Sequence, residues 1–335
     1  ELGWILEFNM VLDILLLIAG IAMILMGANA LVDNSSIIAR KFGISEFVIG
    51  IVIIGIGTSL PELTVSLMSA IQGKGDMAIG NVVGSNIFNT FMILGVTALI
   101  SPIKFENNNI RKDVPYGVVA ALLLFVMSLD KLILGSPVNQ LSRVDGAILF
   151  LLFALYIYLS FKSSKNSIPS VEQSTDNQEV NYKSTKLFKP ILLVIVGLVG
   201  LILGGRLFVN GASAIAKFFG ISDAFIGITI LAGGTSLPEL ASCVVAARKG
   251  KGQMALGNII GSNVSNIFLI LGAGSLITPL QLSGIGYIDL GMVLFGAIAL
   301  LITAFTFVKK SLDRFEGGLF VVIYIAYIVY LASQL

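Results

Sequence analysis

The chain alternates long apolar runs with short clusters of charged and turn-forming residues. The runs fall near 12–32, 46–71, 77–100, 115–129, 146–161, 187–209, 223–247, 253–277, 288–308 and 316–334. Most approach the roughly 20 residues that a helix needs to cross the hydrocarbon core of a bilayer. A sheet barrel would show short segments alternating with period two, and the stretch from Leu290 to Val308 is too long and continuously apolar for that. The pattern predicts an all-α membrane protein with ten transmembrane helices. Between the fifth and sixth runs, residues 162–186 are polar and low in apolar content, and they read as a flexible linker. Their acids are too few and too scattered for a regulatory Ca2+ module.

A repeat then organises the ten runs. GTSLPEL occupies Gly57 to Leu63 and again Gly234 to Leu240, while GNVVGSNIFN at Gly80 to Asn89 returns as GNIIGSNVSN at Gly257 to Asn266, both displaced by 177 positions. The same offset aligns Gly43-Ile44-Ser45 with Gly220-Ile221-Ser222, and Pro102 with Pro279. Residues 10–161 and 187–335 are therefore read as two copies of a five-helix unit. An odd number of spans per copy forces the second to enter the membrane upside down. Inverted-topology repeats of this kind hold substrate near the bilayer midplane, between interrupted helices.

Composition narrows the class. Hydrophobic residues make up 56% of the chain and charged residues 12%, against about a quarter charged in soluble domains. Mean hydropathy is +0.97. The net charge of +2 offers no basic field for nucleic acid. Cys243 is the sole cysteine, which excludes an intrachain disulfide, and the lack of histidine removes the usual proton relay near neutral pH. Most basic residues fall on one side of the ten-span topology, leaving Lys74, Lys131, Arg143, Arg206 and Lys217 on the other. The positive-inside rule puts the crowded side and the linker in the cytoplasm, with both termini outside the plasma (inner) membrane. No basic segment followed by a small-residue cleavage site opens the chain, so the first span is read as permanent, and Met10 is a candidate natural start.

The chemistry lies inside the repeat. Of the 19 acidic residues, only Glu62 and Glu239 sit well inside apolar runs, and they are repeat mates. A charge at that depth costs at least a few kcal/mol and marks a functional site or a compensated pair. No deep Lys or Arg faces them, Arg206 being placed towards the end of its run, so an external cation is the missing partner. Two protonated, hydrogen-bonded carboxyls are the bland alternative. Pro61 and Pro238 interrupt the helical ladder and free carbonyls near Gly57 and Gly234. Thr58, Ser59, Thr235 and Ser236 add hydroxyls, unless these bond back to the preceding turn. Asn81, Ser85 and Asn89 form one stripe, repeated by Asn258, Ser262 and Asn266, which completes the site or glues helices together. Asn86 and Asn263 lie off the stripe and are expected to pack or cap. Gly73-Lys74-Gly75 and Gly250-Lys251-Gly252 read as turns, not phosphate loops. Carboxylates, hydroxyls, amide oxygens and carbonyls form a hard-oxygen set suited to Ca2+ or Na+. No cofactor is called for. No nucleophile and base pair for an intramembrane enzyme is found in these spans.

With GTSLPEL and GNxxGSNxxN present twice in inverted halves, the chain resembles the Na+/Ca2+ exchanger family of the cation/Ca2+ antiporter superfamily over essentially its whole length. The resemblance implies that Glu62 and Glu239, with Thr58 and Thr235, bind Ca2+ centrally. Ser59, Ser85, Asn89, Ser236, Ser262 and Asn266 match positions that help form flanking Na+ sites, and Gly55 and Ala232 match positions contributing carbonyl oxygens. It also implies that the first and sixth spans slide past a static core. K+-dependent relatives look acidic where this chain has Asn266, which argues against K+ co-transport. The expected function is secondary active Na+/Ca2+ antiport, electrogenic and K+-independent. The alternatives are a Ca2+/H+ exchanger, a K+-dependent exchanger or a cation channel. Ca2+, Na+ and the lipid bilayer are the expected partners, with oligomeric state left open.

Overall fold

The computed structural model describes residues 2–133, 135–165, 186–220, 232–306 and 310–334, and these are helical almost throughout. The first part holds α1 (Leu2–Phe42), α2 (Glu46–Thr58), α3 (Leu60–Ile71), α4 (Gly75–Ile100), α5 (Val114–Met127) and α6 (Arg143–Lys165). The second holds α7 (Phe188–Phe218), α8 (Leu237–Arg248), α9 (Gly252–Ile277), α10 (Tyr287–Thr303) and α11 (Arg314–Ala332). Among the described residues, six helices (α1, α4, α6, α7, α9 and α11) are long and apolar enough to cross a membrane, and α2 with α3 makes a seventh if the bent pair counts as one. The chain is a multi-pass membrane protein. Most of the expected linker and the first part of the 223–247 run lie outside the described residues.

Several boundaries differ from the sequence reading. α1 continues to Phe42 instead of ending near 32, and three of its polar residues bond back within the helix: Asn29 donates to the Leu25 carbonyl at 2.8 Å, Asn34 to Ala30 at 2.7 Å and Ser36 to Val32 at 3.0 Å. α6 runs on to Lys165, past the expected limit at 161. α7 likewise runs to Phe218, which corrects the placing of Arg206: it stands in the middle of its helix, not near the end. The 46–71 run is two helices meeting at 49°.

α4 and α9 form the centre. Of their apolar windows, 72% and 78% are buried, against 17% for both α1 and α11, which turn most of their apolar surface outward. Two backbone seams hold the peripheral helices in place. α1 lies along α7, where a Cβ on Gly27 would sit 2.7 Å from the Gly197 carbonyl oxygen and one on Gly197 would sit 2.8 Å from that of Gly27. α2 lies equally close to α9: a Cβ on Gly50 would come 2.5 Å from the Met254 carbonyl, and one on Gly257 would collide with the Phe47 carbonyl. Small residues allow such approach in a bilayer, where apolar surface itself gives helices little reason to associate.

Connections repeat along with the helices. Gly43 and Gly220, and Gly73 and Gly250, adopt φ of +62°, +77°, +70° and +71°, so the same left-handed turns recur 177 residues apart. Two short antiparallel ladders join the two parts of the chain. β1 (Ile103–Lys104) pairs with β4 (Ser311–Leu312), Ile103 opposite Leu312, and β2 (Gln140–Leu141) pairs with β3 (Leu280–Gln281), Leu141 opposite Leu280. Each takes the strand that follows a central helix (α4 or α9) and pairs it with the strand that precedes an outer helix (α11 or α6).

Gly257→Val is expected to force α2 from α9 and lower the thermal midpoint of the purified protein by several degrees. Gly291→Ala, where an added Cβ meets nothing within 4 Å, should leave it unchanged or raise it.

Candidate functional site

The break between α2 and α3 builds the first half of the site. Ser59 (φ −79°, ψ 8°) precedes α3, with Pro61 at its second position and Glu62 at its third. Ser236 (φ −93°, ψ 10°), Pro238 and Glu239 do the same for α8. Proline costs nothing in a first helical turn, where its missing N–H would be unpaired anyway. Each glutamate therefore sits at the positive end of a helix dipole, which favours a carboxylate. A serine followed three residues later by glutamate is the spacing of a local capping box, yet neither serine caps its own helix. Ser236 Oγ donates instead to Glu62 Oε1 at 2.9 Å, and Ser59 Oγ donates to Glu239 Oε1 at 3.2 Å. Each carboxylate is thus held by a serine 174 to 180 residues away in sequence.

The other expected site residues gather around this exchange. Thr235 and Ser85 stand beside Glu62, and Thr58 beside Glu239. Thr58 donates its hydroxyl hydrogen to the Ile54 carbonyl at 2.8 Å, which leaves oxygen lone pairs free to accept. Ser262 donates to the Gly55 carbonyl at 3.1 Å, across the glycine seam. Ala232 opens the Ala232–Gly234 turn directly ahead of the break. Asn89 and Asn266 each lie in a π-helical segment, Phe88–Ile93 and Asn266–Leu271, within α4 and α9. Such segments are frequent at functional sites.

Two stripe residues take the second of the two parts left open for the stripe, that of joining helices. Asn81 donates to the Glu62 backbone carbonyl at 3.2 Å and to Ser66 Oγ at 2.9 Å, while Asn258 donates to Ser242 Oγ at 2.9 Å and to Cys243 Sγ at 3.2 Å. Both amides fasten helix to helix, because their nitrogens donate to a hydroxyl and to a carbonyl or thiol on the neighbouring helix. Asn86 and Asn263, expected to pack or cap, join α4 to α9 through side-chain hydrogen bonds.

Four of the buried side-chain oxygens without a hydrogen-bond partner belong to candidate site residues. Glu62 Oε2, Glu239 Oε2, Asn89 Oδ1 and Asn266 Oδ1 have no hydrogen-bond donor, though each residue is at most 1% exposed. An unpaired buried acceptor costs about 1–3 kcal/mol, and more when charged. Two other buried acids, Asp113 and Glu316, show the contrast: Asn109 donates to Asp113 at 3.1 Å, and Glu316 accepts from the Asp313 backbone at 3.1 Å at the start of α11. No ion pair to Glu62 or Glu239 is present among the described residues, nor a cluster of three or more His, Cys, Asp or Glu. Two carboxylates ringed by neutral oxygens make a set for a hard cation rather than a soft metal. A cavity of about 190 Å3, lined by Pro61, Thr64, Arg206, Asn210, Thr235 and Pro238 among others, opens onto the edge of this cluster.

Comparison with known proteins shows the family. The family model described as sodium/calcium exchanger protein matches residues 12–162 and 189–332. The chain belongs to the sodium/calcium exchanger family. It is 33% identical over 345 residues to the sodium/calcium exchanger MaX1 of Methanosarcina acetivorans and 34% identical over 321 residues to the putative antiporter CaxA of Alkalimonas amylolytica. In both cases the match covers 95% of this chain and 98% of the relative. Among solved structures, the sodium-calcium exchanger NCX_Mj soaked with zero Na+ and Ca2+ superposes with a TM-score of 0.80 at 32% identity, over 96% of this chain and 99% of that one.

Removing the donor on Glu62 should weaken cation binding. Ser236→Ala is expected to raise the dissociation constant for radiolabelled Ca2+ about tenfold, a loss of about 1.4 kcal/mol. Ser69→Ala, whose hydroxyl bonds only to the Val65 carbonyl one turn back, should stay within about twofold.

Proposed function

We propose that this family member is a secondary active antiporter that exchanges Na+ for Ca2+ at the cluster around Glu62 and Glu239. The observation that carries the reading is the set of four orphan acceptors, two of them carboxylate oxygens with no protein counter-charge among the described residues. Ca2+ neutralises the two negative charges with one ion. Na+ ions that use the same carboxylates must displace it, so the two cations compete. Ser59, Ser236, Thr58, Thr235, Ser85, Ser262, Asn89 and Asn266, with the carbonyls of Gly55 and Ala232, supply the remaining oxygens. More than two Na+ per Ca2+ would make exchange electrogenic. Asn at both 89 and 266 leaves no third carboxylate for K+.

Counter-transport follows from the same electrostatics. Moving an empty site across the membrane would carry two uncompensated buried carboxylates, a penalty of several kcal/mol per ion. Either cation relieves it, so loaded forms cross and the empty form does not. A channel has no such requirement. Ca2+/H+ exchange is the second reading, since two protons also neutralise two glutamates. The orphan amide oxygens of Asn89 and Asn266 favour metal cations, because an amide oxygen does not take up a proton at neutral pH.

The architecture that goes with this function is ten spans as two inverted five-helix repeats, 10–161 and 187–335, with the linker and the basic loops in the cytoplasm and both termini outside the plasma membrane. The 177-residue offset, the paired left-handed turns and the two exchanged ladders support it.

In proteoliposomes loaded with Na+, radiolabelled Ca2+ uptake is expected to require an outward Na+ gradient and to be lost in Glu62→Gln and in Glu239→Gln. Equal uptake with choline inside and a pH gradient alone would overturn Na+ coupling. Dependence on added K+ would overturn K+ independence.

A further inference from the structure

Asn86 and Asn263 do not reach the orphan oxygens, yet they hold the residues that carry two of them. Asn89 Nδ2 donates to Asn263 Oδ1 at 3.1 Å, and Asn266 Nδ2 donates to Asn86 Oδ1 at 3.0 Å. Each bond runs between α4 and α9 and pairs a candidate ligand with the off-stripe asparagine of the other helix. The anchors are themselves fixed: Asn86 Nδ2 donates to the Asn263 backbone carbonyl at 3.2 Å, and Asn263 Nδ2 donates to Thr90 Oγ1 at 2.9 Å. Asn86 is 2% exposed, and Asn89 and Asn266 are each 1% exposed, so water does not compete for the Asn266–Asn86 bond, while Asn263 is half-buried and lines a cavity with Asn86 and Thr90.

An asparagine side chain can turn over about its terminal bond, interchanging a donor with an acceptor. Only one orientation is useful to a cation, the one that presents Oδ1. At Asn89 and Asn266, the bond to the opposite anchor occupies the nitrogen and leaves Oδ1 without a donor. Both residues lie in π-helical segments, which are frequent at functional sites.

We infer that Asn263 and Asn86 are positioning residues for cation selection, locking the Asn89 and Asn266 amides in crossed pairs so that both Oδ1 atoms face the ion cluster. The inference rests on the reading of Asn89 and Asn266 as Na+ ligands. The pairing is specific: the Asn263 side chain acts on Asn89 and the Asn86 side chain on Asn266, each across the interface between α4 and α9. Because the anchors touch amide ligands and neither glutamate, they tune half-saturation by Na+ more than the maximum exchange rate.

Four double-mutant cycles in proteoliposomes test this, with half-saturating Na+ and maximum rate as readouts. Asn263→Leu is expected to raise half-saturating Na+ about tenfold with the maximum rate within about twofold, the scale on which outer partners of ion ligands act. In combination with Asn89→Ala it should add nothing further, while its effect should multiply with that of Asn266→Ala. Asn86→Leu should behave in the mirror fashion, silent on top of Asn266→Ala and multiplicative with Asn89→Ala. Asn263→Asp keeps the accepting oxygen and the volume, and should hold half-saturating Na+ at or below the native value even if the leucine variant fails to fold. Equal coupling in all four combinations, or a raised value in Asn263→Asp, would overturn the positioning role. An unchanged Na+ response in Asn89→Ala and Asn266→Ala alone would overturn the ligand reading as well.

Discussion

Two carboxylates are buried among apolar helices with no cation of the protein beside them among the described residues, and the architecture around them follows from making that tolerable. Full desolvation of a carboxylate would cost far more than a domain's net stability. The chain reduces the cost with partial charges: a helix start under each glutamate and a hydroxyl from the other break on one oxygen of each. It stops short of cancelling it. One oxygen on each glutamate keeps no donor, and in the proposed function that is where the transported cation binds. Complete satisfaction by protein donors would give a more stable fold and a poorer ion site.

The same constraint explains why the two parts of the chain are interlocked. Ser59 serves Glu239, Ser236 serves Glu62, Ser262 holds the Gly55 carbonyl, and the asparagine pairs cross from α4 to α9. Within one part of the chain these groups would cap their own helix or bond back one turn. Divided between the two parts, they form a single cluster that neither part builds alone. The glycine seams give the backbone approach that such short polar links require, since a hydroxyl spans only about 3 Å.

Much of this was legible in the sequence. Apolar runs gave the helical membrane class, and the 177-residue offset singled out Glu62, Glu239 and the hydroxyls beside them. What escaped has physical reasons. Polar residues in α1 looked like a boundary, but a helix absorbs an asparagine or serine that bonds back one turn. Asn81 and Asn89 share a stripe and look equivalent, and only the neighbouring helix decides that one is a fastener and the other a candidate ligand. The π-helical segments at Asn89 and Asn266 leave no mark in residue pattern, because the extra residue per turn is set by packing. The capping-box spacing at Ser59 and Glu62 was visible, but its diversion to the opposite glutamate depends on tertiary contact.

If missing counter-charge is what the fold is built around, cations should stabilise the protein through these two side chains and neutral isosteres should replace them. The direct measurement is thermal unfolding of the purified protein without Ca2+ or Na+ and then with each added, for the native chain and for the Glu62→Gln, Glu239→Gln double variant. A ligand that binds only the folded state raises stability by mass action, about 2.7 kcal/mol at a hundredfold excess over its dissociation constant. The account predicts a low ion-free midpoint that rises with Ca2+ or Na+ in the native protein, and a higher ion-free midpoint with no response to either ion in the double variant. A double variant that is less stable without ions and still gains as much from Ca2+ as the native chain would contradict it.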